Sequence, residues 1–339
     1  MISNEAGTGT TTGRRARTLA GMAFGLAAGL FVLVGSAGAQ LQIAPLDGEP
    51  NLDDVVVKGS HNSFHRHPFV AIHPRHRYDH ESLSVQLAEQ RVRALELDVH
   101  RSLSGEYQIY HILWIDGRTH CKRFSDCLRE IREWSDANPE HQPLQIWIEA
   151  KDYAGGARIS SLRPLDSLLR VVLGDRLLTP DDVRGASPSL RDALLTEGWP
   201  TLQAARGRVM FMLTADEEQV ADYTSNYAHL KGRVMFVAAE SHQLHLPWAG
   251  VAKINNPGDP LIATARAAGM LVTTTVCVPQ LSDSDCYQAR DLALMSGAQV
   301  LLDDYPHRVA GRDYHLDLDD VAIVRRGPGI TGSDAHPHL

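Results

Sequence analysis

The sequence predicts an α/β fold: a single (β/α)8 TIM-like barrel, somewhat irregular, over residues 40–325, with a disordered tail over 326–339. Three observations lead to this prediction. Eight short runs rich in β-branched and large apolar residues recur between residues 54 and 303, and each has the length of a strand. Apolar residues at helical spacing separate most of these runs. The pattern extends over most of a chain of 339 residues, and such barrels typically take about 250 residues.

The first half of the chain supplies four of the predicted strands, at 54–60, 94–100, 107–111 and 144–151. Helical spacing predicts helices over 84–93 and 125–137, and Ser125 is a suitable N-cap for the second. Only residues 104–106 join the second and third strands. This connection has the length of a hairpin and departs from strict β/α alternation.

The second half supplies the other four predicted strands, at 208–213, 233–238, 271–276 and 299–303. The long interval 153–206 predicts two helices. The helices predicted over 260–268 and 283–296 are each followed by a glycine, Gly269 and Gly297, which is a common helix stop. Since the fifth and sixth strands lie close together in the sequence, we expect a short or irregular connection between them.

Composition restricts the classes of protein to which the chain can belong. Apolar residues make up 43% and charged residues 22%, which is typical of globular proteins and excludes a disordered or fibrous chain. The 33 basic and 41 acidic residues give a formal net charge of −8. Proteins that bind duplex nucleic acid usually carry a positive balance, so we expect no nucleic-acid partner. The sequence does not predict an oligomeric state.

The N-terminal 39 residues have the pattern of a secretory signal peptide. Arg14, Arg15 and Arg17 form a positive region, an apolar run extends from residue 19 to residue 35, and an Ala-Gly-Ala sequence ends at Ala39. We therefore expect cleavage after Ala39 and a secreted, extracellular protein. A single membrane anchor is the alternative, and the adjacent arginines also point to twin-arginine export.

The four cysteines form two pairs that are close in sequence, Cys121 with Cys127 and Cys277 with Cys286. In an exported protein such pairs predict two local disulfides, the simplest of the three possible connectivities. Four free thiols are the alternative. Zinc is not favoured, because neither pair has the two-residue spacing of structural zinc sites.

Acidic residues cluster at the predicted C-terminal ends of the strands, where the active site of a (β/α)8 barrel forms. Glu96 and Asp98 are two positions apart in one strand, so both side chains point to one face. Glu149 lies near the end of the fourth strand and Asn62 follows the first. Three carboxylates and an amide oxygen make an all-oxygen site, suited to Ca²⁺ or Mg²⁺ and poor for zinc or copper. The alternative is that these acids form ordinary salt bridges with arginines.

Taken in chain order, the motifs at the strand ends resemble those of a known family. The series His61-Asn62-Ser63, Glu96-Leu97-Asp98, His111 and Glu149 is similar to the catalytic domain of calcium-dependent phosphoinositide-specific phospholipases C, in their secreted bacterial form. The resemblance covers residues 55–306 and implies a TIM barrel, a phosphoinositide lipid substrate and transient contact with a membrane surface. Calcium-independent bacterial relatives have an arginine where the metal would lie, whereas this chain has acidic residues there.

The resemblance also implies roles for individual residues. It implies that Ca²⁺ is bound by Asn62, Glu96, Asp98 and Glu149, and that the catalytic histidines are His61 and His111. His61 is expected to act as the base or to stabilise the phosphorane, and His111 to act as the general acid. Such an enzyme releases diacylglycerol and inositol phosphate by way of a cyclic 1,2-phosphate, which forms when the inositol 2-hydroxyl attacks.

Position alone makes three further residues candidates for binding substrate: Lys151, His100 and Asp303. Lys151 shares the inward face of Glu149, so it can hold the substrate phosphate or pair with that acid. His100 can orient a ligand or pack passively. Asp303 and its neighbour Asp304, at the last strand, are candidates for binding inositol hydroxyls.

Six histidines lie in the segment from residue 61 to residue 80: His61, His65, His67, His73, His76 and His80. Their spacings match no zinc motif, so we interpret the segment as a surface loop over the barrel mouth that has one catalytic member. Pro68, Phe69 and Tyr78 in this loop are candidates for contact with lipid.

The sequence is also compatible with three other functions. Glycerophosphodiester phosphodiesterases also combine a barrel, an E-x-D pair, histidines and an E-x-K segment, but they usually have His-Arg at the first strand, whereas this chain has His61-Asn62. A secreted sphingomyelinase-D-like enzyme is a more distant alternative of the same kind. A calcium-stabilised, non-catalytic barrel that binds lipid or sugar is the third possibility, and it needs neither His61 nor His111.

Overall fold

Eight parallel strands form the wall of a barrel, which confirms the predicted fold class. The computed structural model describes residues 49–152, 156–225 and 229–318, and the backbone alone at 322–323. The strands within these residues are β1 Val55–Ser60, β2 Ala94–Arg101, β3 Tyr107–Ile109, β4 Leu144–Lys151, β5 Val209–Thr214, β6 Met235–Val237, β7 Val251–Lys253, β8 Leu271–Thr275, β9 Val300–Asp303 and β10 Ala322–Ile323. The predicted signal peptide and the predicted tail lie outside the described residues and stay predictions.

The order of the strands around the wall is β6-β5-β4-β2-β1-β9-β8-β7. Neighbouring wall strands are parallel, as β/α crossover connections require. β6 and β7 complete the circle through a single parallel bridge between Ala238 and Val251, where the Ala239 amide donates to the Val251 carbonyl (2.9 Å). We call this junction of β6 and β7 the seam, and the barrel is nearly closed across it.

The sequence predicted eight wall strands but assigned one of them to the wrong segment. The predicted third strand, 107–111, contributes only β3, which pairs antiparallel with β2 and lies outside the wall. The remaining place in the wall belongs to β7, which the sequence did not predict. With three residues, β7 is too short to show the apolar run or the alternation that reveals a strand.

Helices connect most of the wall strands. Within the described residues they are α1 Leu83–Ala88, α2 Phe124–Ala137, α3 Arg163–Leu173, α4 Pro180–Arg184, α5 Leu190–Thr196, α6 Leu202–Ala205, α7 Glu217–Ser225, α8 Leu261–Ala267 and α9 Asp283–Ser296. None of these helices has the length and apolar composition needed to cross a membrane.

Most of the predicted helices are confirmed, with local differences. The helices predicted over 260–268 and 283–296 correspond to α8 and α9. Ser125 is not the N-cap of α2, because that helix already begins at Phe124. The interval 153–206 holds four short helices instead of two, and α7 occupies the connection between β5 and β6.

Trp147 on β4 shows which face of the wall strands points into the barrel. Its indole N–H donates to Thr273 Oγ1 on β8 (3.0 Å), a strand on the opposite side of the wall. In the parallel register Glu96 lies beside Trp147, and Asp98 lies beside Glu149. Because residues paired in this way point to one face, the three acids lie on the inner face of the barrel.

Both predicted disulfides are present. Cys121–Cys127 joins the loop before α2 to that helix, and Cys277–Cys286 joins the segment after β8 to α9. No cysteine of the chain is free. Each disulfide therefore braces a connection that runs from the C-terminal end of a strand to a helix, the class of loop that forms the active site in such barrels.

Candidate active site

Three carboxylates from two adjacent strands converge at the C-terminal end of the barrel. Glu96 and Asp98 extend from β2, and Glu149 extends from β4. One oxygen from each lies within 4.8 Å of the other two. The register explains this, because Asp98 pairs with Glu149 and Glu96 occupies the preceding inward position. The structure thus brings together the three acids that the sequence predicted to share a site, and we call them the acid cluster.

Three oxygens of the acid cluster make no hydrogen bond within the protein. Both oxygens of Asp98 and Oε2 of Glu96 are buried without a hydrogen-bond partner. Burial, reinforced by the charges of Glu149 and Glu96, raises the pKa of Asp98 to about 7. A divalent cation removes the cost of burying oxygens without a partner, because it ligates them, and it also offsets the repulsion between the negatively charged acids. An all-oxygen donor set of this kind fits Ca²⁺.

Two lysines contact the acid cluster. Lys253 Nζ lies 2.8 Å from Glu96 Oε1 and 3.9 Å from Glu149 Oε2. Lys151 contacts Glu149 and lies 3.7 Å from Asp98 Oδ2. Burial acts to lower the pKa of Lys253, but Glu96 and Glu149 outweigh it and raise that pKa overall. The acids therefore do form salt bridges, with lysines instead of the arginines considered above, and two ammonium groups face three carboxylates.

Asn62 turns the chain just after β1, with a positive φ of 46°. Asparagine is one of the few residues that adopt this left-handed conformation readily. Its side-chain nitrogen donates to the Tyr78 hydroxyl (3.2 Å) and lies 3.4 Å from His61 Nε2. The Ser63 amide donates to the Glu96 carbonyl (2.9 Å). This turn therefore lies against the strand that carries two members of the acid cluster.

His61 is paired with the aspartate that directly follows β9. Its Nδ1 lies 2.8 Å from Asp304 Oδ1, and its side chain is 28% exposed. Burial acts to lower the pKa of His61, but the charges of Asp304 and Glu96 raise it to about 9. The imidazole is therefore protonated at neutral pH as long as no metal ion offsets these acids.

His111 lies in the connection between β3 and α2, beyond the strand in which the sequence placed it. Its Nδ1 is 2.7 Å from Asp116 Oδ2, and its side chain is 27% exposed. Buried Asp116 also accepts a hydrogen bond from His65 Nε2 (2.8 Å). Burial acts to raise the pKa of Asp116, but these two hydrogen bonds hold it far below its usual range. Ile109, two positions before His111, pairs with the residue that follows Asp98 in β2. The second histidine–aspartate pair therefore lies beside the strand that carries Asp98, and the charge of His111 acts to lower the pKa of Asp98.

Comparison of sequences identifies the family. The sequence model of the family described as phosphoinositide phospholipase C, Ca²⁺-dependent, matches residues 104–328, about two thirds of the chain. The chain belongs to this family. The matched range includes His111, Glu149 and Lys253, whereas β1 and β2 with their site residues precede it. A search of curated proteins gave no match.

Solved structures of calcium-dependent phosphoinositol-specific phospholipases C have the same fold. The apo enzyme of a Pseudomonas species, in its second crystal form, gives a TM-score of 0.59 at 16% identity, over 79% of this chain and 96% of the other. The myoinositol complex of that enzyme gives 0.58 at 16% identity, over 78% and 93%. The enzyme of Streptomyces antibioticus gives 0.59 at 20% identity, over 76% and 95%. At these identities the similarity establishes the fold.

The predicted substrate-binding residues of this phospholipase C family member occupy different environments. Lys151 contacts the acid cluster, as described above. His100 Nε2 donates to the Tyr110 carbonyl (2.8 Å), and its ring stacks on that of Tyr110 at 3.8 Å. Asp303 accepts hydrogen bonds from the Tyr314 hydroxyl (2.6 Å) and from a backbone amide (2.7 Å). Contact of His100 and Asp303 with substrate stays a prediction.

Sequence reasoning missed Asp116 and Lys253, and it assigned Asp304 only to substrate. Asp304 lies 243 positions after His61, and Lys253 belongs to the strand that the sequence did not predict, so no local pattern relates them to the phospholipase C site. Asp116 follows His111 by five positions within a tight loop closed by backbone hydrogen bonds. An acid so soon after a candidate catalytic histidine is the signal that would have found it.

Proposed function

We propose that this protein is a calcium-dependent phosphodiesterase that cleaves phosphatidylinositol to diacylglycerol and inositol phosphate by way of the cyclic 1,2-phosphate. The observation that carries the proposal is the presence of two histidine–aspartate pairs, His61–Asp304 and His111–Asp116, beside the buried acid cluster. Membership of the phospholipase C family supports the class of reaction. A non-catalytic binding barrel has no need for either pair.

In the proposed enzyme Ca²⁺ is held by Asn62, Glu96, Asp98 and Glu149. When bound there, the ion would supply positive charge to offset that of the phosphorane and would lower the pKa of the inositol 2-hydroxyl. The orphaned oxygens of Asp98 and Glu96 support this assignment. Lys151 is assigned to the substrate phosphate, because its ammonium group lies within 4 Å of the acids that position the reacting centre.

His61 is assigned to the inositol 2-hydroxyl. Asp304 fixes the ring through Nδ1, so Nε2, which lies 3.4 Å from the side-chain nitrogen of Asn62, is the ring nitrogen left for the reacting group. The neutral ring accepts the hydroxyl proton, and the protonated ring then stabilises the phosphorane. The Asp304 carboxylate favours both steps because it orients the ring and stabilises the imidazolium.

His111 is assigned to the leaving group. Asp116 occupies Nδ1 of the ring, which leaves Nε2 to donate a proton to the diacylglycerol oxygen. The second hydrogen bond that Asp116 accepts, from His65, holds the carboxylate in place. Proton transfer by this histidine completes the cleavage and leaves the cyclic phosphate.

The proposed contact with membranes rests on exposed apolar side chains of two loops at the barrel mouth, the β1–α1 loop and the β3–α2 loop. Phe69 is 89% exposed in the first, and Trp114 is 92% exposed in the second. Arg118 lies over the Phe69 ring at 4.3 Å, and a cavity between the two loops is lined by residues of both. Exposed aromatic side chains beside a cation are typical of surfaces that bind the lipid headgroup region.

Serine substitutions test the membrane surface. Phe69→Ser with Trp114→Ser is expected to weaken binding to phosphatidylinositol vesicles while leaving the cleavage of a soluble substrate unchanged. Val171→Ser on α3 is the matched control, since that side chain is 82% exposed outside these loops. Equal binding by the double variant and the control in a vesicle sedimentation assay contradicts the assignment.

We also infer that the protein is exported and works outside the cell. The two disulfides support this inference, because structural disulfides persist in oxidising compartments. The test is mass spectrometry of the culture medium, where a chain that begins at residue 40 is expected.

The experiment that tests the proposed function is hydrolysis of phosphatidylinositol micelles by the purified chain, with Ca²⁺ and with a chelator. Release of diacylglycerol and inositol phosphate only in the presence of Ca²⁺ is the expected result. Activity that survives the chelator contradicts the metal assignment. Turnover of glycerophosphodiesters without turnover of the lipid favours the glycerophosphodiester phosphodiesterase alternative.

A further inference from the structure

A second cluster of metal-ligating side chains lies at the barrel mouth and shares no residue with the acid cluster. It consists of His76 in the β1–α1 loop and of His111 and Asp116 in the β3–α2 loop, and one ligand atom from each lies within 4.8 Å of the others. His76 Nε2 is 3.8 Å from Asp116 Oδ2, and His111 Nδ1 is 2.7 Å from the same oxygen. The histidine spacings within the first loop did not indicate this cluster because its other members come from a different loop.

The donor set fits zinc and does not fit calcium. Two imidazole nitrogens and one carboxylate oxygen are typical ligands of Zn²⁺, whereas Ca²⁺ takes oxygen ligands. Zinc–ligand bonds of about 2.0–2.2 Å in a tetrahedral arrangement place ligand atoms roughly 3.4 Å apart. The separations of 3.8 and 2.7 Å lie on either side of that value. Small movements of the two rings therefore suffice to admit the ion.

The surroundings of the cluster support a binding role. His76 is buried, so its ring is held beside Asp116 by the surrounding protein. His65 donates to the Asp116 oxygen that the cluster does not use (2.8 Å), as the outer partners of metal-ligating carboxylates do. The rings of His76 and His111 already meet edge to face at 5.8 Å. Since the side chain of His111 is 27% exposed, an ion can enter from solvent.

We propose that His76, His111 and Asp116 bind Zn²⁺ at a site separate from the calcium ligands, and that bound zinc reversibly inhibits the enzyme. Zinc would bind Nδ1 of His111 and the Asp116 oxygen that otherwise accepts a hydrogen bond from this nitrogen. His111 would then lose the hydrogen bond that orients its ring for proton transfer. The inhibition rests on the proposed role of His111 in catalysis. The binding of zinc does not rest on that role.

Binding is tested by titrating the purified full chain with zinc chloride in a calorimeter, with saturating Ca²⁺ present throughout. We expect one zinc per chain and tetrahedral d–d absorption bands when Co²⁺ replaces zinc. His76→Phe keeps a ring that packs on His111 but loses the ligand, and we expect it to weaken zinc binding by about 10-fold or more. His242→Phe is the matched control, because this exposed histidine between β6 and β7 lies outside the cluster and outside both loops, and the variant is expected to leave the affinity unchanged.

Three results overturn the binding proposal: no saturable zinc binding by the unaltered chain, equal losses in the two variants, or displacement of zinc by Ca²⁺. Inhibition is tested by titrating phosphatidylinositol cleavage with zinc. His76→Phe is expected to retain activity and to resist zinc, whereas equal sensitivity of the variant and the unaltered chain overturns the inhibitory role. If no chain cleaves the lipid, the proposed function fails, and the calorimetric titration still decides the binding.

Discussion

Replacing Asp303 with asparagine is expected to change how the stability of the protein depends on pH. Asp303 is fully buried at the end of β9 and accepts hydrogen bonds from the Tyr314 hydroxyl (2.6 Å) and the Tyr305 amide (2.7 Å). Burial outweighs these bonds and, together with the charge of Asp304, raises the pKa of Asp303 from 3.8 to about 7. The folded protein therefore keeps a proton on this carboxyl that the unfolded chain has already released.

The proton held by Asp303 in the folded state determines how the free energy of unfolding changes with pH. Between the unfolded pKa of 3.8 and the folded pKa of about 7 the folded state binds more protons, so the free energy of unfolding falls as the pH rises. At 1.36 kcal/mol per pKa unit, a shift of about three units corresponds to roughly 4 kcal/mol. The unaltered chain loses none of this free energy of unfolding at pH values below the pKa of Asp303 in the unfolded chain. It has lost all of it at pH values above the pKa in the folded protein.

The assay is urea unfolding of the unaltered chain and of Asp303→Asn across this pH range. Asparagine has nearly the same size and no charge, and the Tyr314 hydroxyl can rotate to accept a hydrogen bond from its amide nitrogen. The variant should therefore gain stability relative to the unaltered chain by several kcal/mol between about pH 5 and pH 8. Asp175→Asn, at an exposed aspartate, is the control. Unfolding free energies of Asp303→Asn that run parallel to those of the unaltered chain refute the reasoning.

Three further predictions address the site and the scaffold. His111→Ala should lower kcat by about 10²- to 10⁴-fold with an unchanged circular dichroism spectrum, and a rate like that of the unaltered chain removes His111 from catalysis. Asp98→Asn should shift the calcium titration of activity to higher concentrations, and an unchanged titration excludes Asp98 as a ligand. Cys277→Ala with Cys286→Ala removes the disulfide that closes a loop of sequence separation 9. The double variant should have a free energy of unfolding in urea that is lower by about 3 kcal/mol. An unchanged free energy of unfolding would show that this disulfide does not stabilise the fold.

The sequence was most informative where an element is long and regular. β2 and β4 have eight residues each, so their apolar runs and their inward acids are both visible. Alternation related Glu96 to Asp98, and position near the end of a strand indicated Glu149. β7 shows the opposite case. Its three residues have no periodicity of their own, and only pairing with β8 makes them a strand. With β7 unpredicted, Lys253 could not be placed beside the acids.

The two histidine–aspartate pairs show a second limit of sequence reasoning. His61 and Asp304 lie at opposite ends of the chain, and only the adjacency of β1 and β9 in the closed wall brings them to 2.8 Å. The adjacency of the first and last wall strands depends on the whole sheet, so a short stretch of sequence cannot predict it. The pair of His111 and Asp116 is local, but the hydrogen bond from His65 that fixes it comes from another loop.

The seam has a consequence for the motions of the barrel. β7 pairs with β8 over three residues and with β6 through one bridge, so we expect local opening to begin there and the amides of β6 and β7 to exchange with deuterium before those of β2 and β4. Opening withdraws Lys253 from Glu96 and leaves the acids more negative. In the proposed enzyme Ca²⁺ would compete with Lys253 for the same carboxylates, so the two equilibria would be linked. Saturation with Ca²⁺ should therefore change hydrogen exchange at the seam.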